Sequence, residues 1–137
     1  MKTLKINYLA VVVAAIVSYA ISAIWYTVFG EPWMAYNKLT LEFVEANISV
    51  TPYIVALVNS FVFAFVMAWI LKRMNVKSAI DGLKIGFVMG ISFALLLTMT
   101  TNFFSYRPYE LSWIDGGVNW LIFAVVGLIL GAWRKYE

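Results

Sequence analysis

The sequence predicts an all-α integral membrane protein, a bundle of four spanning helices with a short surface helix in its first outer loop. Of its 137 residues, 64% are apolar and only 12% are charged, whereas a soluble domain carries about 25% charged residues. Four apolar runs reach the roughly 20 residues that a helix needs to cross the hydrocarbon core. None alternates polar and apolar residues as a half-buried strand does. The composition therefore excludes a water-soluble enzyme and a nucleic-acid-binding protein.

The predicted spans lie in a single transmembrane domain, residues 1–137, and cover residues 8–29, 52–71, 79–104 and 113–133. Thr51 before Pro52 is typical of an N-cap followed by proline in the first helical turn. Two further starts carry a serine followed three residues later by an aspartate, which is a capping-box pattern: Ser78 with Asp81, and Ser112 with Asp115. This pattern gives both aspartates a structural explanation, the alternative being a catalytic role.

The first span and the loop after it differ from the other segments. The apolar run over residues 8–29 is longer than the about 7–15 residues of a signal-peptide core, so we expect a retained anchor. The long connection of residues 30–51 contains Thr40, which is expected to cap a short helix over residues 41–47. Its apolar edge suits a position on the membrane surface or over the end of the bundle.

The distribution of cations predicts the orientation. With the N-terminus inside, eight of the ten Lys and Arg residues face the cytoplasm, and only Lys38 and Arg107 lie outside. An excess of cations in cytoplasmic loops is the usual arrangement in membrane proteins. Both termini are therefore predicted to be cytoplasmic.

The chain contains no Cys and no His. This removes thiolate chemistry, Cys-ligated clusters, the commonest metal ligand and the readiest general base near neutral pH. We therefore expect no cofactor, no metal site and no enzymatic activity.

Small residues recur at four-residue spacing in the spans, and the glycines are expected to serve helix packing: Gly82, Gly86 and Gly90 in the third span, with Gly127 and Gly131 in the fourth. Such stripes let helix backbones approach closely in lipid. The sequence leaves open whether they pack helices of one chain or form a dimer seam.

Polar residues of all four spans are expected to meet in one layer in the outer third of the membrane. The candidate ligand-binding residues are Ser22, Tyr26, Asn59, Thr98, Asn102, Arg107, Asp115 and Asn119. Intramembrane polar groups usually face the bundle interior or a wet cavity. The layer is therefore either interhelical hydrogen bonding or a small pocket that opens outward. Arg107 is expected to clamp the outer end through ion pairs with Glu110 and Asp115.

Short motifs along nearly the whole chain resemble a known family. They are Ser22-Ala23-Ile24-Trp25-Tyr26 with Phe29-Gly30 and Trp33-Met34, then Asp81-Gly82 with Gly86, Thr101-Asn102, Arg107-Pro108, Gly117, Gly127 and Gly131-Ala132-Trp133-Arg134. These residues are similar to the bacterial membrane family named domain of unknown function 1761. The resemblance implies a small four-span protein of the bacterial cytoplasmic (inner) membrane with no established activity, and it transfers no catalytic residue.

Three functional hypotheses follow. The first is a non-enzymatic membrane protein that contacts lipids and acts as a homo-oligomer or as an accessory subunit of a larger complex. The second is a transporter or binder of a small apolar solute or lipid through the outward-opening polar pocket. The third is a lipid-modifying enzyme that uses Tyr26, Arg107 and Asp115.

Overall fold

The structure, a computed structural model, describes residues 2–137 and is almost entirely helical. In chain order the helices are α1 (Tyr8–Val28), α2 (Gly30–Tyr36), α3 (Leu41–Ala46), α4 (Thr51–Arg73), α5 (Ala79–Phe104) and α6 (Tyr109–Ala132). Four of them, α1, α4, α5 and α6, are long and apolar enough to cross a membrane. The predicted all-α membrane protein with four spans is confirmed.

The connection between α1 and α4 holds two short helices rather than one. Helix α3 begins after Thr40, whose hydroxyl accepts a hydrogen bond of 3.1 Å from the backbone N–H of Phe43. The predicted surface helix and its cap are therefore confirmed. Helix α2 was not predicted. It follows α1 almost directly and holds Pro32 in its first turn, where the missing N–H costs little.

Two predicted helix starts are wrong. Helix α4 begins at Thr51 itself, and its N-cap is Val50. Helix α6 begins at Tyr109, well before the predicted residue 113, because Pro108 supplies the extended residue before the helix. Ser112 therefore lies inside α6 and caps nothing. The cap at Ser78 is confirmed, since its hydroxyl accepts a 3.1 Å hydrogen bond from the backbone N–H of Asp81.

Both chain termini lie at the same end of the bundle. Strand β1 (Leu4–Lys5) pairs antiparallel with strand β2 (Lys135–Tyr136). We call this the terminal end, and the opposite end, which carries α2, α3 and the turn over residues 105–108, the loop end. Near β2, Arg134 donates a 3.0 Å hydrogen bond to the carbonyl of Leu130, and burial lowers the pKa of its guanidinium. The cytoplasmic location of the terminal end stays a prediction.

Helix α6 lies at the centre of the bundle. Helices α1 and α4 pack on each other and on α6, while α5 packs along α6. Within residues 2–137, α4 and α5 have no extended contact with each other. Many of the residues buried on these two helices are small: Ala10, Ala14 and Ser18 on α1, with Ser60, Ala64 and Ala68 on α4. Small side chains allow this close approach.

The glycines of α5 face α6 within the same chain. A Cβ atom added at Gly82 would overlap the backbone carbonyl of Gly127, and one added at Gly86 would overlap that of Phe123. At Gly131 an added Cβ would overlap the carbonyl of Ser78. The two helices therefore touch through their backbones, which only glycine permits at these positions.

A π-helical segment, Ile91–Leu96, interrupts α5. Packing of α5 on α6 continues through it: Gly90, just before the segment, lies against Trp120 and Phe123, and Leu95, inside the segment, lies against Gly116. A single wide turn of this kind shifts the helix face and is frequent at functional sites.

Candidate functional site

A cavity of about 960 Å³ lies between α1, α4, α5 and α6, toward the loop end. Its volume falls at the upper end of the range of about 300–1,000 Å³ for small-molecule sites. Five of the eight candidate ligand-binding residues line it: Ser22, Tyr26, Asn59, Thr98 and Asn119. The structure thus brings residues of all four spanning helices to one cavity.

The cavity is polar at one level and aromatic below it. Phe63 follows Asn59 by four residues and Phe123 follows Asn119 by four, so each phenyl ring lies about 6 Å closer to the terminal end than the amide above it. The two rings meet edge to face, with centroids 4.7 Å apart. Phe93 of the π-helical segment lines the cavity as well. We call Phe63, Phe93 and Phe123 the aromatic base, and the five polar residues of the lining the polar level.

The rim of the cavity at the loop end is built from the connection between α1 and α4. Trp33 and Met34 of α2 and Val44 of α3 line the cavity, as does Tyr53 of α4. Helices α2 and α3 thus both contribute to the rim, and whether α3 also lies on the membrane surface stays a prediction.

A carboxylate behind the wall holds this rim in place. Asp115 Oδ1 accepts a 2.6 Å hydrogen bond from the Tyr26 hydroxyl and a 3.1 Å hydrogen bond from Trp33 Nε1. Trp25, the residue before Tyr26 in α1, donates a 2.9 Å hydrogen bond from its Nε1 to the backbone carbonyl of Ile114. The side chains of Tyr26, Trp33 and Asp115, which we call the Asp115 cluster, therefore join α1, α2 and α6.

The remaining candidate residues lie outside the cavity. Asn102 is buried, and its amide donates a 2.9 Å hydrogen bond to the hydroxyl of Ser112 in α6. Arg107 is exposed in the turn before α6. Asp115 binds Tyr26 and Trp33 instead, and within residues 2–137 no ion pair joins it to Arg107. The predicted clamp is therefore wrong. Of the three residues of the enzyme hypothesis, Tyr26 and Asp115 meet, whereas Arg107 forms no ion pair or side-chain hydrogen bond with either within the described residues.

Sequence reasoning missed the aromatic part of the site. Trp33 lies outside the predicted spans, and Phe63, Phe93 and Phe123 lie in apolar runs, where the sequence does not distinguish a ring that faces a cavity from one that faces lipid. Four-residue spacing to a polar residue is the one signal that could have found two of them, since Phe63 follows Asn59 and Phe123 follows Asn119.

The lining carries no formal charge. Among the cavity-lining residues, all of them within the described part of the chain, none is Lys, Arg, Asp or Glu. The site offers hydroxyl and amide groups, aromatic faces and apolar side chains, which suit a molecule with both a polar and an apolar part.

Comparison with known proteins gives one match. A family model described as "Protein of unknown function (DUF1761)" matches residues 9–131, which include nearly all of the four spanning helices. No curated protein and no solved structure matches the chain. The residues that line the cavity all lie inside the matched range. The chain, a protein with four candidate membrane-spanning helices, belongs to the DUF1761 family.

Proposed function

We propose that this membrane protein binds a lipid or a lipid-like amphiphile in the cavity between its four spanning helices. The observation that carries the proposal is the polar level above an aromatic base in one cavity of about 960 Å³. Such a site orients an amphiphile, because its polar group pairs with hydroxyls and amides while its apolar part packs on the rings. The role is binding, or transport that follows from binding, rather than catalysis.

The packing of the helices supports an entry route from the membrane. Helices α4 and α5 flank the cavity without packing along each other. Every residue of α4 over positions 51–59 is exposed. A hydrocarbon chain can therefore pass sideways between these helices while the polar group stays at the polar level. With the predicted orientation, this route leads to the outer leaflet of the cytoplasmic membrane.

A matched pair of substitutions on α5 tests the proposal. Thr98 lines the cavity, whereas Thr100 is exposed and lies outside its lining. Thr98→Trp fills the cavity, and Thr100→Trp adds the same side chain elsewhere on the helix. Mass spectrometry of protein extracted in native lipid should find a retained amphiphile in the wild type and in Thr100→Trp, but not in Thr98→Trp.

A second measurement addresses the polar level itself. Asn59→Leu with Asn119→Leu removes two amides from the lining and should abolish retention of the amphiphile while the protein still elutes as a folded species. Identical lipid profiles in the wild type, Thr98→Trp and the double variant would overturn the proposal. The polar level would then serve only interhelical hydrogen bonding.

Assembly with a second copy or with another membrane subunit is a second candidate function. The exposure of residues 51–59 of α4 favours it, because this half of a spanning helix has surface left for a partner. The chain has no Cys, so Val58→Cys gives a single thiol on this surface, and Leu97→Cys on α5 is the control. Disulfide-linked dimers in membranes of Val58→Cys alone would support assembly, and none in either variant would count against a symmetric pair at α4.

A further inference from the structure

We infer that the molecule held in the cavity has an uncharged head group with carbonyl oxygens, as in a diacylglycerol or an isoprenoid quinone, rather than a phosphate. This inference rests on the proposed function and names the ligand class of the same site. It follows from the charges and hydrogen-bond donors that the cavity presents.

The first argument is the charge of the lining. A phosphate placed at the polar level would find no Lys or Arg among the cavity-lining residues of the described chain. Burying an ionised group without a partner is very costly. The two connections at the loop end contain the cations Lys38 and Arg107. Both side chains are exposed and lie outside the cavity lining. The cavity therefore disfavours an anionic head group.

The second argument is that two hydrogen-bond donors at the rim already have an acceptor. The Tyr26 hydroxyl and the Trp33 indole N–H both donate to Asp115. A phosphate would need such donors to replace its hydration, and the carboxylate behind them adds a negative charge that repels it. The Asp115 cluster thus opposes an anion on two counts.

The third argument is the set of donors left at the polar level. Asn119 donates to the backbone carbonyl of Asp115 and Ser60 to that of Ala56. Of the five residues of the polar level, Ser22, Asn59 and Thr98 remain to meet a ligand, and each offers a neutral hydroxyl or amide N–H. Neutral donors spaced around a cavity match ester or quinone carbonyls. The aromatic base then receives the first part of the chain or the quinone ring.

Photocrosslinking with matched lipids tests the inference. The probes are a diacylglycerol and a phosphatidylglycerol that carry the same diazirine-bearing acyl chain and differ only in the head group. In mixed micelles of the purified protein, we expect the diacylglycerol to label cavity-lining peptides about tenfold more than the phosphatidylglycerol, a ratio that corresponds to a modest part of the cost of burying a charge. Equal labelling, or preference for the anionic probe, would overturn the inference and leave lipid binding itself intact.

Competition and a charge variant complete the test. Excess unlabelled diacylglycerol or a short-chain quinone should reduce the labelling, and the stronger competitor identifies the source of the carbonyls. Competition by neither would overturn the inference. Thr98→Lys places a cation in the lining and should raise labelling by the phosphatidylglycerol probe, whereas Thr100→Lys should not. Absence of labelled cavity peptides with any probe would overturn the proposed function instead.

Discussion

The indole Nε1 of Trp33 lies 3.1 Å from Oδ1 of Asp115, an oxygen that also accepts the Tyr26 hydroxyl at 2.6 Å. The indole and phenol rings meet edge to face, with centroids 6.1 Å apart. A single carboxylate oxygen in α6 therefore fixes both the end of α1 and the short helix α2. The position of the cavity rim depends on this oxygen.

Trp33→Phe is expected to loosen α2 while the bundle stays folded. The substitution keeps a ring beside Tyr26 but removes the donor to Asp115, a hydrogen bond to a charged group worth about 1.5–3 kcal/mol. Hydrogen exchange over residues 30–36 should become faster. Trp113→Phe, at an exposed tryptophan, is the control and should leave this exchange unchanged. Unaltered protection of α2 in Trp33→Phe would contradict the role given to Asp115.

Gly86→Ala is expected to destabilise the protein, because its Cβ would overlap the backbone carbonyl of Phe123 in α6. Overpacking typically costs about 1–3 kcal/mol. The melting temperature in detergent should fall, whereas Gly30→Ala, whose Cβ would have no atom within 4 Å, should leave it unchanged. A changed oligomeric mass with an unchanged melting temperature would indicate instead that the glycine stripe forms a seam between chains.

Ser112→Ala should also lower the melting temperature, although Ser112 neither lines the cavity nor caps a helix. The change leaves the buried amide of Asn102 without its 2.9 Å partner. An unpaired buried polar group costs about 1–3 kcal/mol. Ser105→Ala, at an exposed position, is the control. Equal melting temperatures for the two variants would mean that Asn102 finds another partner.

Labelling of single cysteines tests the orientation. In a chain without native Cys, Lys38→Cys at the loop end should react with a membrane-impermeant maleimide added to intact cells. Lys77→Cys at the terminal end should react only after permeabilisation. The reversed pattern would place the terminal end outside and would move the cavity to the inner leaflet.

The four spanning helices were predictable because length and hydropathy along the chain suffice to identify them. The start of α6 was not, because hydropathy marks where the membrane begins and not where the helix begins. Tyr109 and Glu110 are polar enough to fall outside the apolar run, yet they are the first two residues of the helix, directly after Pro108. The two-residue strands have no recognisable signal at all.

The cavity was predictable in part. Ser22, Tyr26, Asn59, Thr98 and Asn119 were found because polar groups in a span avoid lipid. Asn102 was misplaced for a reason that the structure makes clear. Thr98 and Asn102 lie four residues apart in the regular helix after the π-helical segment Ile91–Leu96, so they share a face and differ in depth by about one turn. Asn102, one turn nearer the loop end, meets Ser112 near the start of α6, whereas Thr98 lines the cavity.

The pairing of Leu4 with Tyr136 and of Lys5 with Lys135 has a consequence for biogenesis. Synthesis proceeds from the N-terminus, so β1 leaves the ribosome before α1 and has to wait until the chain has been made beyond α6 before its partner exists. The strand pair can form only on a chain whose four helices are already in the bilayer with both ends on one side. Its formation therefore marks the completion of membrane insertion, and fluorophores attached to the two ends would report that moment by energy transfer.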